Sequence, residues 1–420
     1  MSSRYLWPAA CTLAAMCLFA ADVPKIFEAK PRVVAEGRDP VVAVRASGAL
    51  SLMKVDKGNL WLQTSFDGGD SFEDPVRIND AEGEVSSHGE SSPQMQVRTR
   101  SEFYCLWQTR RGEDGSALRF SRSLNWGESF SKAIDVDTPA GASQSFFTMN
   151  VSPAGVIFVS WLDGRERGKG RPGSSAVYLA RSTNRGASFE KPVRVALDAC
   201  PCCRPNIAFT EKNVHVSWRA ILGNNVRDIL VATSADDGAT WSTPTRVAED
   251  NWVLNGCPHS GASMAALGKR LFITWHAVRE KQAGLSLAYS DDAGKTFSRR
   301  IVLSEGILEA NHPFLQATGD RLSLVFQGRE AGEAQGWGPI NTYYRDVDAQ
   351  GRVSAVERIG RHSASASYPV FAFEEPGRFF VAWTETGKNG KAVVIARGRR
   401  QMVGPEKAGA APAKAIANVR

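Results

Sequence analysis

The 420-residue chain has no run of five like charges, although Lys and Arg outnumber Asp and Glu by 51 to 44. A net charge of +7 spread so thinly describes a solvated surface, and nucleic-acid partners are not indicated. There is no Gly-rich phosphate loop, no heptad pattern and no convincing Ser-His-Asp order, so nothing points to nucleotide binding, a coiled coil or serine-nucleophile chemistry. Long apolar runs are also missing. A membrane-spanning helix needs about 20 apolar residues, and only the first segment comes near that length. With 23% charged and 43% hydrophobic residues the chain is neither disordered nor fibrous.

The one apolar run starts at Tyr5, behind Arg4, and ends in Phe19-Ala20-Ala21. It is short for a transmembrane span and ends in small residues, so residues 1–21 are expected to be a signal peptide and the protein to be exported, periplasmic or secreted. Ala14-Ala15-Met16-Cys17 is a poor lipobox, because Met stands where a small residue is wanted. Removing the leader takes Cys11 and Cys17 and leaves five of the seven cysteines. An odd number in an oxidising compartment leaves at least one thiol unpaired, or paired outside the chain.

The strongest pattern is a short motif, Ser-x-Asp/Asn-x-Gly-x-Ser/Thr-aromatic, which occurs five times. It begins at Ser65, Ser123, Ser182, Ser234 and Ser290, at intervals of 52 to 59 residues. Asp or Asn accepts hydrogen bonds from turn amides, Gly supplies a positive φ, and the aromatic ring folds back on a sheet, so each copy predicts a hairpin turn. A second series places a large residue near the end of a strand-like run, at Met53, Trp107, Trp161, Trp218, Trp275, Phe326 and Trp383. Val214, Val216 and Trp218 alternating with His215 and Ser217 show the period of two expected of a strand. Four strands per 50–57 residues, repeated seven times, predict an all-β propeller of seven blades. The seventh repeat, Tyr368 to Arg397, lacks a fourth strand, and Lys30 to Ala35 resembles the fourth strand at Lys191 to Ala196. The N-terminal segment is therefore expected to close the ring. The propeller should span residues 28–400, with a disordered Ala/Pro/Lys-rich tail over 404–420.

These hairpins resemble the Asp boxes, or BNR repeats, of the sialidase superfamily, over nearly the whole of the mature chain. Sialidases have six blades, which stands as the alternative count. The resemblance implies an axial mouth with three arginines gripping a carboxylate, a carboxylic acid–base, and a Tyr nucleophile paired with Glu. Carried over residue by residue, Arg38 in Arg38-Asp39-Pro40 is similar to the first arginine and Arg219 to the second. Asp56 stands for the acid–base, and Tyr368 in Tyr368-Pro369-Val370 for the nucleophile. The sequence departs from the pattern elsewhere: the Glu position falls on Cys203, Arg329 is a loose third arginine, and counting two blades on from Cys203 gives His312 as the nucleophile.

Cysteine and histidine gather before three successive blades, in Cys200-Pro201-Cys202-Cys203-Arg204-Pro205, Cys257-Pro258-His259 and Asn311-His312-Pro313. Thiolate and imidazole suit a soft or borderline metal, so Cys200, Cys202, Cys203, Cys257, His259 and His312 are candidate ligands for copper or zinc. A disulfide from Cys200 or Cys203 to Cys257, a strained vicinal Cys202–Cys203 bridge, and unlinked thiols remain open beside it. His276 ends a second strand at the same mouth, His215 is expected between blades, and Cys105 is expected in the core. His88 and His362 lie in loops. The charged stretches 163–171 and 329–337 would rim the pocket. The expected function is an exported, monomeric propeller that binds a small-molecule or glycan ligand at its axial mouth, with a Cys/His-held metal. The alternatives are an exo-α-sialidase-type hydrolase of acidic glycans and a scaffold for a protein partner.

Overall fold

The computed structural model describes residues 25–27, 30–112, 115–137, 143–280, 282–330, 339–360, 364–374, 377–388 and 390–400. The expected leader, the expected tail, His362 and most of the 329–337 loop lie outside these residues. Seven antiparallel sheets follow one another along the chain. Blade one is Arg38–Val44, Leu50–Asp56, Asn59–Ser65 and Val76–Arg77. Blade three is Gln144–Val151, Ile157–Asp163, Ser175–Ser182 and Val193–Ala199, and blade four is Asn206–Thr210, Asn213–Arg219, Ile229–Ser234 and Thr245–Arg246. Blade five is Ser263–Leu267, Arg270–Arg279, Gln282–Ser290 and Ile301–Val302, and blade six is Ile307–Thr318, Arg321–Glu330, Asn341–Asp348 and Glu357–Arg358.

Two blades are built differently, and both departures matter. Blade seven supplies only Ser365–Glu374, Arg378–Gly387 and Gly390–Arg400 from its own repeat. Its fourth strand is Arg32–Glu36, which pairs antiparallel with Gly390–Arg400. The N-terminal strand thus closes a ring of seven blades rather than six, as the sequence repeat implied. In blade two the innermost strand is split into Val85–Ser86 and Gln94–Val97, both paired with Phe103–Arg111. The residues between the two pieces leave the sheet, and Glu90 lies among them.

Each second strand carries its large residue inward. Trp107, Trp161, Trp218, Trp275 and Trp383 are fully buried, as are Met53 and Phe326. Fully burying one apolar side chain is worth about 1.5–3 kcal/mol. Seven of them, one per blade, knit adjacent sheets into shared cores such as the cluster joining Met53 and Leu62 of blade one to Phe103 and Trp107 of blade two. Two of the five indole N–H groups find carboxylate partners: Trp161 Nε1 donates to Asp163 at 2.7 Å and Trp275 Nε1 to Asp250 at 2.6 Å. Among the described residues no helix is long and apolar enough to cross a membrane.

The five hairpin motifs form five near-identical turns. In the first, the Gly69 amide donates to Ser65 Oγ at 2.7 Å, and the Ser71 amide and hydroxyl donate to Asp67 at 2.9 and 2.6 Å. Asp236 and Asp292 repeat this with Thr240 and Thr296. These bonds favour the ionised carboxyl. Asp67 is held far below the usual range and Asp236 is lowered to about 2, both mainly by the hydroxyl four residues on. Asp292 is also lowered to about 2; burial opposes the shift and the bonds from Thr296 outweigh it. A depressed folded-state pKa gives stability that is present above the unfolded value, about 3.9, and is lost as pH falls toward 2. Asn125 and Asn184 fill the same place in blades two and three, with Nδ2 donating to Ser129 and Ser188. Replacing Asp236 and Asp292 by Asn is therefore expected to leave the fold intact and flatten the loss of thermal midpoint between pH 4 and pH 2. An unchanged slope would mean that these carboxylates do not govern acid stability.

Candidate functional site at the axial mouth

The inner strands converge on the axis, and several begin with a bulge. The register of the inner pair shifts between Arg38 and Val41, between Ser145 and Thr148, between Asn311 and Phe314, and between Ser367 and Val370. At each shift one non-glycine residue is left-handed: Asp39 (φ 54), Phe146 (φ 49), His312 (φ 49) and Tyr368 (φ 51). Such a φ is uncommon outside glycine, and a bulge re-aims a side chain. Pro40, Pro313 and Pro369 follow three of these residues, and proline has no amide donor for the interrupted ladder to leave unpaired. Backbone strain of this kind collects at functional sites.

Glu90 sits at the centre, 7% exposed. It belongs to blade two, yet its carboxylate reaches blades four, five and six. The Arg204 amide donates to Oε2 at 2.9 Å, the Gly261 amide to Oε1 at 2.7 Å and to Oε2 at 2.9 Å, and His312 Nδ1 lies 3.2 Å from Oε1. Arg204 grips in return, with Nε on the Glu90 carbonyl and Nη2 on Ser92 Oγ, both at 2.6 Å. A Cβ at Gly261 would stand 2.3 Å from the Arg204 carbonyl oxygen, so only glycine lets these two approaches pass so closely. Burial would raise the Glu90 pKa, but the His312 bond and the Arg204 charge outweigh it and hold the carboxyl below its ordinary value. Burial lowers the Arg204 pKa.

Tyr368 stacks obliquely on His312, with ring centroids 4.4 Å apart. Its amide donates to Gln327 Oε1 at 2.8 Å, and its phenol lies against Gly89, where an added Cβ would be 3.1 Å from the oxygen. Burial, and then the Glu90 charge, push the phenol up to about 12. On the blade-one side, Asp39 is buried and takes bonds from Ser87 Oγ at 2.5 Å and Arg38 Nη1 at 3.1 Å, while Thr384 accepts from its amide at 2.8 Å. Beneath this cluster runs an axial cavity of about 640 Å³, with Asp39, Glu90, Arg204, His312 and Tyr368 in its wall.

The structure sorts the residues proposed from sequence. Tyr368 is in the cavity wall, whereas Arg38 lies behind it, with Nη1 on Asp39 and on the Ser87 carbonyl, and is not among the wall residues. Arg219 does not face it: 1% exposed, it donates to the carbonyls of Arg227, Ser260 and His276 and lies against the Trp252 ring, tying blade four to blade five. Arg204 is the arginine beside His312 and Tyr368. Asp56 ends its strand opposite Asn59 in the blade-one hairpin, with Lys54 near it, whereas Asp39 is the carboxylate in the axial wall. Arg329 pairs with Glu309. His276 bonds the Ala310 carbonyl at 2.7 Å and burial lowers its pKa to about 4, so it is a neutral buried residue and not part of the cavity wall. His215 is clamped between Thr210 and Thr233.

The five described cysteines are all unbonded thiols, and no staple joins Cys200 or Cys203 to Cys257. Cys105 is buried in the core. Cys200, Cys202 and Cys203 form one group, and Cys202, Cys257 and His259 another, with ligand atoms within 4.8 Å in each. His312 belongs to neither group and is turned to Glu90. Glu90 and Arg204 are the main residues that sequence reasoning missed. Arg204 precedes Pro205 as Asp39, His312 and Tyr368 precede theirs, so aligning the inner strands on proline would have found it.

Fold and hairpins together define an Asp-box propeller, a divergent member of the sialidase superfamily. The sequence model of the BNR repeat-like domain matches residues 103–381, more than half of the chain, and the chain belongs to that family. No curated protein matches the sequence. Among solved structures, a protein of unknown function from Dyadobacter fermentans has a TM-score of 0.53 at 14% identity, covering 90% of this chain and 98% of its own. A NanB sialidase variant from Streptococcus pneumoniae has a TM-score of 0.51 at 8% identity, covering 84% of each chain. An ulvan lyase bound to -[GlcA(1-4)Rha3S]- has a TM-score of 0.53 at 11% identity, covering 89% of this chain and 95% of its own. At such identities these likenesses concern the fold.

Proposed function

We propose that this propeller is exported and takes an acidic glycan into its axial mouth, where His312 and Tyr368 move protons at a uronate residue and cleave the chain by β-elimination. The observation that carries this reading is the Glu90-held imidazole stacked on a neutral phenol beside arginine. With Nδ1 on the Glu90 carboxylate, His312 keeps Nε2 as its basic nitrogen. Arg204 Nη1 and Arg38 Nη2 have no hydrogen-bond partner among the described residues, and a guanidinium edge suits a sugar carboxylate. Neutralising that carboxylate makes the adjacent C5 proton removable. His312 takes the proton, the C4–O4 bond breaks as the C4–C5 double bond forms, and Tyr368 protonates the leaving oxygen. No water is consumed.

Hydrolysis in the sialidase manner is less well served. A Tyr nucleophile needs a base, and both Glu90 oxygens are already occupied by Arg204, Gly261 and His312. Arg219 is committed to carbonyls. The cavity volume lies within the usual range of ligand sites, about 300–1,000 Å³. The ulvan lyase neighbour, solved with a glucuronate-containing chain, is compatible with the reading. Support for export comes from the apolar run behind Arg4.

The test is incubation with glucuronate-containing polysaccharides, following the ultraviolet absorbance of the conjugated unsaturated uronate, with a fluorogenic sialoside in parallel. Absorbance should rise and the sialoside should stay intact. Sialoside release that depends on Tyr368 would replace elimination by hydrolysis. Silence in both, with no calorimetric binding of uronate oligosaccharides, would end the glycan reading.

A further inference from the structure

We propose that Cys200, Cys202 and Cys203 form a binding site for one thiophilic d10 cation, Cu(I) or Zn(II), which Cys257 or His259 completes. This goes beyond the glycan reading and does not depend on it. The three sulfurs form a nearly equilateral triangle, 3.6 Å between Cys200 and Cys202 and 3.9 Å for each of the other two pairs. A disulfide needs about 2.05 Å. A tetrahedral ion with bonds of about 2.3 Å sets its thiolates about 3.8 Å apart, which is the size of this triangle. The same triangle has a centre about 2.2 Å from each sulfur, which seats a three-coordinate cation of similar bond length. Both ions are soft enough for thiolate.

The chain is built to hold that triangle. Cys200 follows the outer strand of blade three, with its amide on the Arg219 carbonyl at 2.8 Å. Pro201 turns the chain, and Cys202 and Cys203 come back over Cys200 before Arg204 enters blade four. All three sulfurs are buried, beside Phe146, Trp218 and Ile221. Three thiolates around one cation leave excess negative charge, and Arg227 Nη1 stands 3.3 Å from Cys200 Sγ to offset it. The two ligand groups share Cys202. Cys257 and His259 are exposed, on the approach to blade five, so they reach the buried triangle from the solvent side. His259 Nδ1 is on the Cys257 carbonyl at 2.9 Å, which leaves Nε2 as its ligand atom. His312 has no place in this site.

The experiment uses the full-length protein, reduced and handled anaerobically, titrated with Cu(I) against a chromophoric chelator, with Zn(II) in a second arm, and with Co(II) as a spectroscopic probe. One equivalent should bind, Co(II) should show thiolate charge-transfer absorption with a tetrahedral d–d envelope, and bound metal should protect three thiols from a thiol reagent where His259 completes the site, or four where Cys257 does. Cys202→Ser should lower affinity more than about 100-fold, and Cys257→Ala with His259→Ala, both at exposed positions, about 10-fold or more. Absence of stoichiometric Cu(I) and Zn(II) binding by natively folded protein would overturn the proposal. So would undiminished affinity in Cys202→Ser, or, should that variant misfold, unprotected thiols in the metal-loaded wild type.

Discussion

Glu90→Ala is expected to lower the unfolding free energy by about 3–5 kcal/mol, the usual result of removing one partner from a buried charged network. Its carboxylate touches blades four, five and six at once, through the Arg204 amide, the Gly261 amide and His312. Deleting it leaves two buried amides without an acceptor and Arg204 without its counter-charge. Glu90→Gln keeps the volume but presents one amide oxygen where two carboxylate oxygens accept. Its NH2 then faces a backbone N–H, so a smaller loss of about 1–3 kcal/mol is expected. Urea unfolding of both variants checks the order. A loss below 1 kcal/mol for Glu90→Ala would mean that the blades hold together without this cross-axis contact. Buried contacts elsewhere join neighbouring blades, so loss of Glu90 should also broaden the near-ultraviolet signature of the mouth while the outer blades keep their strand content.

The fold was legible because it repeats. A Ser-x-Asp turn or a Trp at the end of a second strand is weak alone, but seven occurrences of a large residue at near-constant spacing leave little freedom. Even the closing strand could be found, since Lys30 to Ala35 resembles the fourth strand of another blade. The site was legible only where it obeyed the repeat. Tyr368, His312 and Asp39 each precede a proline at the start of an inner strand. Glu90 breaks the pattern, because the inner strand of blade two is interrupted and the interruption carries Glu90 out of register with its counterparts. Nothing local to Glu90-Ser91-Ser92 announces that the segment leaves its sheet. Arg219 misled for the opposite reason. It ends a second strand, as a substrate-binding arginine would, yet its guanidinium turns back to three carbonyls of blades four and five. Which way a strand-end side chain turns depends on the next blade, and that is a long-range fact. The cysteines were found as a group, but their division into a buried triangle and an exposed pair depends on the turn at Pro201.

Loss of either partner of the stacked pair should abolish turnover. His312→Ala and Tyr368→Phe are each expected to reduce kcat on a uronate polysaccharide by about 10²- to 10⁴-fold, the usual contribution of a positioned acid or base, with little change in KM. Arg204 lies between binding and chemistry, and its removal should raise KM as well. Tyr368→Phe deletes one oxygen that has no hydrogen-bond partner among the described residues, so its stability should match wild type and separate chemistry from folding. Gly89→Ala offers an independent test without touching either ring. The new Cβ would stand 3.1 Å from the phenol oxygen, at a backbone φ of +52, so the ring must move and kcat should fall with it. The pH profile carries a further signature. An unperturbed phenol ionises near 10. In the fold, burial and Glu90 raise Tyr368 to about 12, so the acid stays protonated and the rate should not fall with tyrosine ionisation until pH approaches 12. In Glu90→Gln the negative charge is gone, and the alkaline limb should move to lower pH by the share that Glu90 supplied. If that limb stays in place while Tyr368→Phe is inactive, burial alone sets the phenol and Glu90 serves only to hold His312.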